Sequence, residues 1–185
     1  MDGDYLRIND LNDVDFQSIL NDYIEFFTKK YLVIETNYKK VSEIEVRFAK
    51  HDIHHLLGLH KVQDSHINAT KTLSKILDGS MTLGKVRNHP RFDEIKNRLL
   101  SYNFLHYCFI DQSIKLCVIV NSEPNPQKLS IVFIDDYKNR NLLLGLKKVR
   151  GREFYVPATM YVSNDSSVYY RKPRSNIRSI IWHDY

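Results

Sequence analysis

The apolar positions of residues 11–30, Phe16, Ile19, Leu20, Tyr23, Ile24, Phe26 and Phe27, recur at helical spacing. Acidic residues crowd the start of that stretch and Lys29-Lys30 its end, as a helix dipole favours. The period then shortens to two. In YLVIETN, residues 31–37, Val33 and Glu35 alternate with Leu32, Ile34 and Thr36. In EIEVRFA, residues 43–49, Ile44, Val46 and Phe48 alternate with charged neighbours. This predicts a hairpin with one wet face. Two further helices are expected, over 65–80, stopped by Gly79, and over 91–109, entered through Pro90.

From residue 114 the pattern reads as strands. IKLCVIV and KLSIVFID are near-continuous apolar runs, predicting central strands joined by a turn at EPNPQ. NLLLGLKKV is a third, and EFYVPATMYVS a fourth. In the fourth, Phe154, Val156, Ala158, Met160 and Val162 are expected on one face, with Tyr155, Pro157, Thr159 and Tyr161 on the other. SVYYRK and IRSIIW extend the sheet. The expected fold class is α+β, with N-terminal helices packed on one face of a C-terminal antiparallel β-sheet meander, preceded by an extra N-terminal helix and hairpin.

The length of 185 residues suits one domain, 1–185, with an acidic helical segment at 1–30 and the core at 31–185. Two cysteines, Cys108 and Cys117, lie in apolar runs and read as buried free thiols. MDGDYLRIND has no apolar signal region, and no run approaches the about 18–20 apolar residues of a membrane span. An intracellular, cytoplasmic protein without a membrane partner is expected. The net charge of +5 is uneven. Residues 1–100 carry 15 basic and 15 acidic side chains, and residues 101–185 carry 12 and 7, so the excess lies in the second part. The first 25 residues hold seven acids against Arg7 alone. A basic C-terminal segment favours a polyanionic partner.

Four of the eight histidines fall in HDIHHLLGLH, residues 51–60. Three readings compete. His51 and His54, with His60 or His66, match part of a zinc site, but no HExxH or other standard spacing accompanies them. A single histidine could be a general base, since imidazole titrates near cellular pH. The cluster could also be an incidental surface turn. On the expected open sheet face, Tyr155, Tyr161, Tyr169 and Tyr170 interleave with Lys147, Lys148, Arg150, Arg152, Arg171, Lys172 and Arg174. Rings that stack on bases beside cations that hold phosphate suit RNA. No GxxxxGK[ST], GxGxxG or GxSxG motif is present, and Asp135-Asp136 stand alone rather than in a two-metal carboxylate cluster.

FAKHDIHHLLGLHKV resembles the HLLGL-type segment of the fourth phage group of barnase–EndoU–colicin E5/D–RelE-like nucleases. Gly145-Leu146-Lys147 and Pro157-Ala158-Thr159-Met160-Tyr161 are similar to that family's C-terminal meander. The resemblance covers residues 30–185. It departs at Met160, where an aromatic is expected directly after the Ser/Thr, and at the doubled His54-His55, where His55 is matched because it precedes Leu56.

The resemblance implies a barnase–RelE-like fold and a metal-independent endoribonuclease, without cofactor or metal. RNA supplies its own nucleophile, the 2′-hydroxyl, so the products carry 2′,3′-cyclic phosphate and 5′-hydroxyl ends. Such an enzyme needs a base, cations or donors for the pentavalent phosphate, and an acid for the 5′-oxygen. On this reading His55 is the general base or acid and Lys147 stabilises the phosphate, with Lys71 as a second cation. Thr159 donates to a phosphate oxygen, and Tyr161 stacks on a base or completes a proton relay. Lys148, Arg150, Arg152, Tyr170, Arg171 and Lys172 bind RNA. The family implies a toxin or anti-phage effector of a mobile element, neutralised by an antitoxin with an acidic surface. The acidic first 25 residues could instead cover the basic face. A non-catalytic RNA-binding module is the alternative, and a structural or interaction protein is a second.

Overall fold

A computed structural model describes residues 4–125, 127–137, 140–163 and 167–185. The first helix, α1 (Phe16–Tyr23), starts where the Asp15 carboxylate accepts from the Ser18 amide, and it continues as a π-helical turn over Ile24–Thr28. It buries Phe16, Ile19, Leu20 and Tyr23, the positions that carried the helical period. The expected hairpin forms from β1 (Lys30–Thr36) and β2 (Glu43–Val46). Leu32 faces Val46 and Ile34 faces Ile44, all fully buried.

Short helices follow: α2 (Asp52–Leu56), α3 (Ala69–Leu77) and α4 (Leu83–Arg87). Asn68 caps α3 by accepting from the Lys71 amide at 2.9 Å. The helix expected over 91–109 is two, α5 (Asp93–Leu100) and α6 (Phe104–Phe109). At the break the Asn103 side chain accepts from the Ile8 amide at 2.8 Å and donates to the Leu6 carbonyl, tying down the N-terminal segment. Among the described residues no helix is long and apolar enough to cross a membrane.

The strands β3 (Leu116–Ile119), β4 (Ile131–Tyr137), β5 (Arg140–Lys148) and β6 (Phe154–Ser163) pair antiparallel in sequence, as the meander predicts. The last elements are α7 (Ser167–Tyr170) and β7 (Arg174–Asp184). Residues 167–170, expected to extend the sheet, are helical instead.

The expectation of helices on one face of an antiparallel meander is corrected here. The sheet is a closed, mixed barrel in the order β1-β2-β6-β5-β4-β3-β7. Two junctions close it. β2 runs parallel to β6, with Val46 beside Tyr155. The 11-residue β7 is long enough to serve two neighbours, its start pairing with β3 and the remainder with β1. Alternation reports which face a residue takes and says nothing of a strand's partner.

A second correction concerns β6. Gly145 of β5 pairs with Thr159 but Leu146 pairs with Pro157, so Ala158 is the extra residue of a β-bulge. The bulge switches faces along the strand. Tyr155 and Pro157 are buried before it and Met160 after it, which breaks the expected alternation from Phe154 to Val162. Proline, with no N–H to donate, suits such a site.

One large apolar cluster joins α1, α2, α3, α5 and α6 to Leu142, Leu144, Leu146 and Met160. A smaller one, Val118, Leu129, Val132, Leu143 and Tyr169, forms on the opposite face of the β3–β6 strands.

Candidate active site

The local fold of HDIHHLLGLH follows from its apolar residues. Ile53, Leu56, Leu57 and Leu59 are fully buried and anchor α2 against β6. That anchoring leaves His54 buried and His55 exposed. Gly58 ends the helix at φ +72°, a left-handed conformation that favours glycine. A Cβ there would lie 2.9 Å from Arg98 Cδ and 3.0 Å from Ile95 Cγ2. Its absence lets α5 approach and brings Arg98 beneath His55.

Arg98 joins the helical and strand halves of the site. Its Nη1 donates to the His55 carbonyl at 3.3 Å and to Thr159 Oγ1 at 3.2 Å. The side chain is buried, and its Nε has no hydrogen-bond partner among the described residues. Burial pulls its pKa down, yet an arginine stays charged at any physiological pH.

The strands supply the other wall. Lys147, near the end of β5, is exposed, and no carboxylate pairs with it among the described residues. The bulge at Ala158 turns Thr159 to the same side. At Gly145 an added Cβ would lie 2.4 Å from Leu129, so glycine allows that side chain to settle on the strand. Gln127, two residues before Leu129, reaches the cleft. The resulting cleft, about 290 Å³, is lined by His55, His60, Lys61, Arg98, Gln127, Lys147, Ala158 and Thr159. None of these is a carboxylate.

Three imidazoles meet at its edge. Ring centroids lie 4.8 Å apart for His54–His55, 5.1 Å for His55–His60 and 5.6 Å for His54–His60. His54 Nδ1 lies 2.8 Å from Thr72 Oγ1. The Thr72 hydroxyl donates to the Asn68 carbonyl and also accepts from Gln63 Nε2, so His54 Nδ1 is the donor and its Nε2 carries a lone pair. Burial, then the neighbouring His55 and His60, push the His54 pKa down to about 4. Burial, then Lys147 and Arg98, hold His55 below the ordinary imidazole value. Burial does the same to His60 against the opposing pull of the His54 carbonyl. All three are therefore biased toward the neutral form.

Of the residues singled out from sequence, His55, Lys147 and Thr159 come together in this cleft. Lys71 is exposed on α3 and does not line it. Tyr161 stands behind the cleft, its ring centroid 6.0 Å from Arg98 Cζ. Burial, then the neighbouring Tyr169 phenol, push its pKa well up. Lys148 is ion-paired with Glu153 at 2.8 Å, and Arg150 and Arg152 are exposed between β5 and β6.

Tyr170 donates to Asn141 Oδ1 at 2.8 Å, lies under Arg174 and lines a separate depression of about 180 Å³. Arg171 and Lys172 line a third, of about 340 Å³. Lys172 is buried and donates to the Ser122 carbonyl, so it presents no free ammonium. Tyr155, expected on the nucleic-acid face, is 8% exposed and belongs to the large core. His51 and His66 are exposed and outside the triad; the structure groups His54, His55 and His60 instead.

Sequence reasoning missed Arg98, Lys61 and Gln127, and weighed His60 only as a zinc ligand. Arg98 had a signal, a lone arginine between Ile95 and Leu99 on the stripe that α5 buries. The N-terminal segment anchors at Asp22, Asn103 and Asp111, none of which lines the cleft.

No curated protein and no solved structure matches the chain. A family model described as phage-Barnase-EndoU-ColicinE5/D-RelE like nuclease4 matches residues 15–185, a span that contains every residue of the cleft. With that match over nearly its whole length, the chain belongs to the fourth family of phage barnase–EndoU–colicin E5/D–RelE-like nucleases, and its substrate is nucleic acid.

Proposed function

We propose that this nuclease is a metal-independent endoribonuclease that cleaves RNA by attack of the 2′-hydroxyl on the adjacent phosphate. The observation that carries the reading is the cleft itself. A histidine biased toward its neutral form and a lysine with no carboxylate partner among the described residues share a lining that offers an arginine and a threonine but no carboxylate. Two-metal nucleases hold their ions with carboxylates, and this lining has none to offer.

In the proposed reaction His55 takes the 2′-hydroxyl proton. Lys147 and Arg98 balance the charge that grows on the pentavalent phosphate, and Thr159, held by Arg98, donates to a phosphate oxygen. The proton that His55 takes is passed to the leaving 5′-oxygen by way of His60, whose ring centroid is 5.1 Å from that of His55 and which accepts at one nitrogen and gives from the other. The products are a 2′,3′-cyclic phosphate and a 5′-hydroxyl. Tyr161 acts from behind, supporting Arg98 rather than stacking on a base. The biological role we propose is that of a toxin or anti-phage effector of a mobile element, with an acidic antitoxin complementing the cationic cleft.

Purified protein incubated with total cellular RNA and EDTA, beside a His55→Ala control, tests the reading. Cleavage by the wild type alone, with 2′,3′-cyclic phosphate ends, is expected. RNA that is retarded on a gel but uncut would make the protein a binding module, and cleavage abolished by EDTA would exclude the metal-independent route.

A further inference from the structure

We infer that His54, His55 and His60 form a binding site for one zinc-type divalent ion, and that the ion switches the nuclease off by occupying His55. The first half stands on geometry alone, and the second rests on the ribonuclease reading above.

One nitrogen from each of the three rings lies within 4.8 Å of the others. Zinc–imidazole bonds of about 2.0–2.1 Å in a tetrahedron require nitrogens about 3.3 Å apart. His54 is fixed in the wall, while His55 and His60 are exposed and make up the difference by side-chain rotation, His60 giving up its bond to the His54 carbonyl. An independent observation concerns orientation. Thr72 takes the Nδ1 proton of His54 and is itself held by Asn68 and Gln63, which leaves Nε2 as the free ligand atom. A ligating histidine characteristically passes its other ring N–H to such a partner. Three histidines with a fourth position open to solvent match the donor set of open zinc sites. The two cysteines offer no competing ligand, because both are buried.

The surroundings set the strength and the consequence. Lys61, Arg98 and Lys147 line the same cleft and repel a bare dication, so binding should be weaker than at a structural zinc centre. The same cations welcome an anion, hydroxide or phosphate, as the fourth ligand. A histidine whose lone pair is held by the metal cannot accept the 2′-hydroxyl proton, so the bound ion and the proposed catalysis exclude each other.

The full-length protein, stripped with EDTA and desalted, is titrated with Zn²⁺ by calorimetry and with Co²⁺ by visible absorption. One ion per chain with a tetrahedral cobalt spectrum is expected. Loss of a ligand in His60→Gln or His54→Gln should weaken binding by at least about 100-fold, and Thr72→Val, which removes only the orienting partner, by about 10-fold. His60 is exposed, so its variant keeps the test decisive if the buried His54 variant misfolds. In parallel, the Zn²⁺ concentration that fills the site should suppress RNA cleavage, and EDTA should restore it. Absence of saturable binding, or binding unchanged in His60→Gln, overturns the site. Cleavage unaffected or stimulated by bound Zn²⁺ overturns the switch. A chain that binds one ion but cuts no RNA in any condition upholds the site and overturns the ribonuclease reading.

Discussion

Two histidine environments in this chain are built on opposite principles. His106 is fully buried, and its Nε2 donates to Asp22 Oδ2 at 2.7 Å. Tyr102 donates to the same carboxylate, the Leu6 amide donates to its other oxygen, and the Tyr5 ring stacks on the imidazole at 3.9 Å. Burial drives the Asp22 carboxyl up, but the bonds from His106, Tyr102 and Leu6 outweigh it and hold the pKa below the usual range. Among the described residues no carboxylate lines the cleft of the other histidines; Lys61, Arg98 and Lys147 do. A histidine locked to a buried acid welds elements together. Histidines beside cations, at the edge of an open cleft, keep a free lone pair for chemistry. The comparison separates structure from reactivity, and mutations can break it from either side.

The largest expected effect is on catalysis. His55→Ala should lower RNA cleavage by about 10²–10⁴-fold while leaving thermal stability within experimental error, because the side chain is exposed. Matched kinetics and calorimetry check both halves. Next comes the buried pair. Asp22→Ala strands His106 and Tyr102 and should cost about 3 kcal/mol in denaturant unfolding, with cleavage per folded molecule unchanged at low temperature. The sign with pH follows. The Asp22 pKa is depressed in the folded state, so its contribution is present above the unfolded value of 3.8 and is lost as pH falls through the lower folded one. The wild type should therefore show an acid-dependent loss that Asp22→Ala lacks.

Gly58→Ala is the intermediate case, touching fold and site together. A left-handed alanine costs about 1–2 kcal/mol, and its Cβ would push on Arg98 Cδ. Unfolding free energy and cleavage rate should fall together, unlike in either previous variant. The smallest effect is electrostatic. Lys147→Gln removes one of the charges that lower the His55 pKa, so the titration midpoint of its imidazole should move up, as read by NMR with EDTA present.

The legibility of the chain divided along physical lines. The β1–β2 hairpin and the β3–β6 meander were readable because each depends on local alternation and neighbouring segments. Barrel closure was not, since it depends on β7 meeting β1 and β2 meeting β6 across long stretches of chain. His55 and Lys147 stood out as chemistry-bearing types within recognisable segments. Arg98 was obscured because it lies on the stripe that α5 buries, where the eye expects packing. The bulge at Ala158 escaped because the period of two continues in the sequence while the backbone inserts a residue. That bulge is what turns Thr159 toward Arg98.

The doubled pairing of β7 bears on how the chain folds. Residue 32 pairs with residue 182, and residue 118 with residue 174, so the strand that closes the barrel leaves a ribosome after both of its partners. Until then β1 and β3 each present an unpaired edge, the kind of edge that recruits strands from other chains. Contacts between such distant residues form slowly because loop closure precedes any return from pairing. Nascent chains of this nuclease therefore pass through a stage in which the β1 and β3 edges are exposed to aggregation and to chaperones, before β7 covers both.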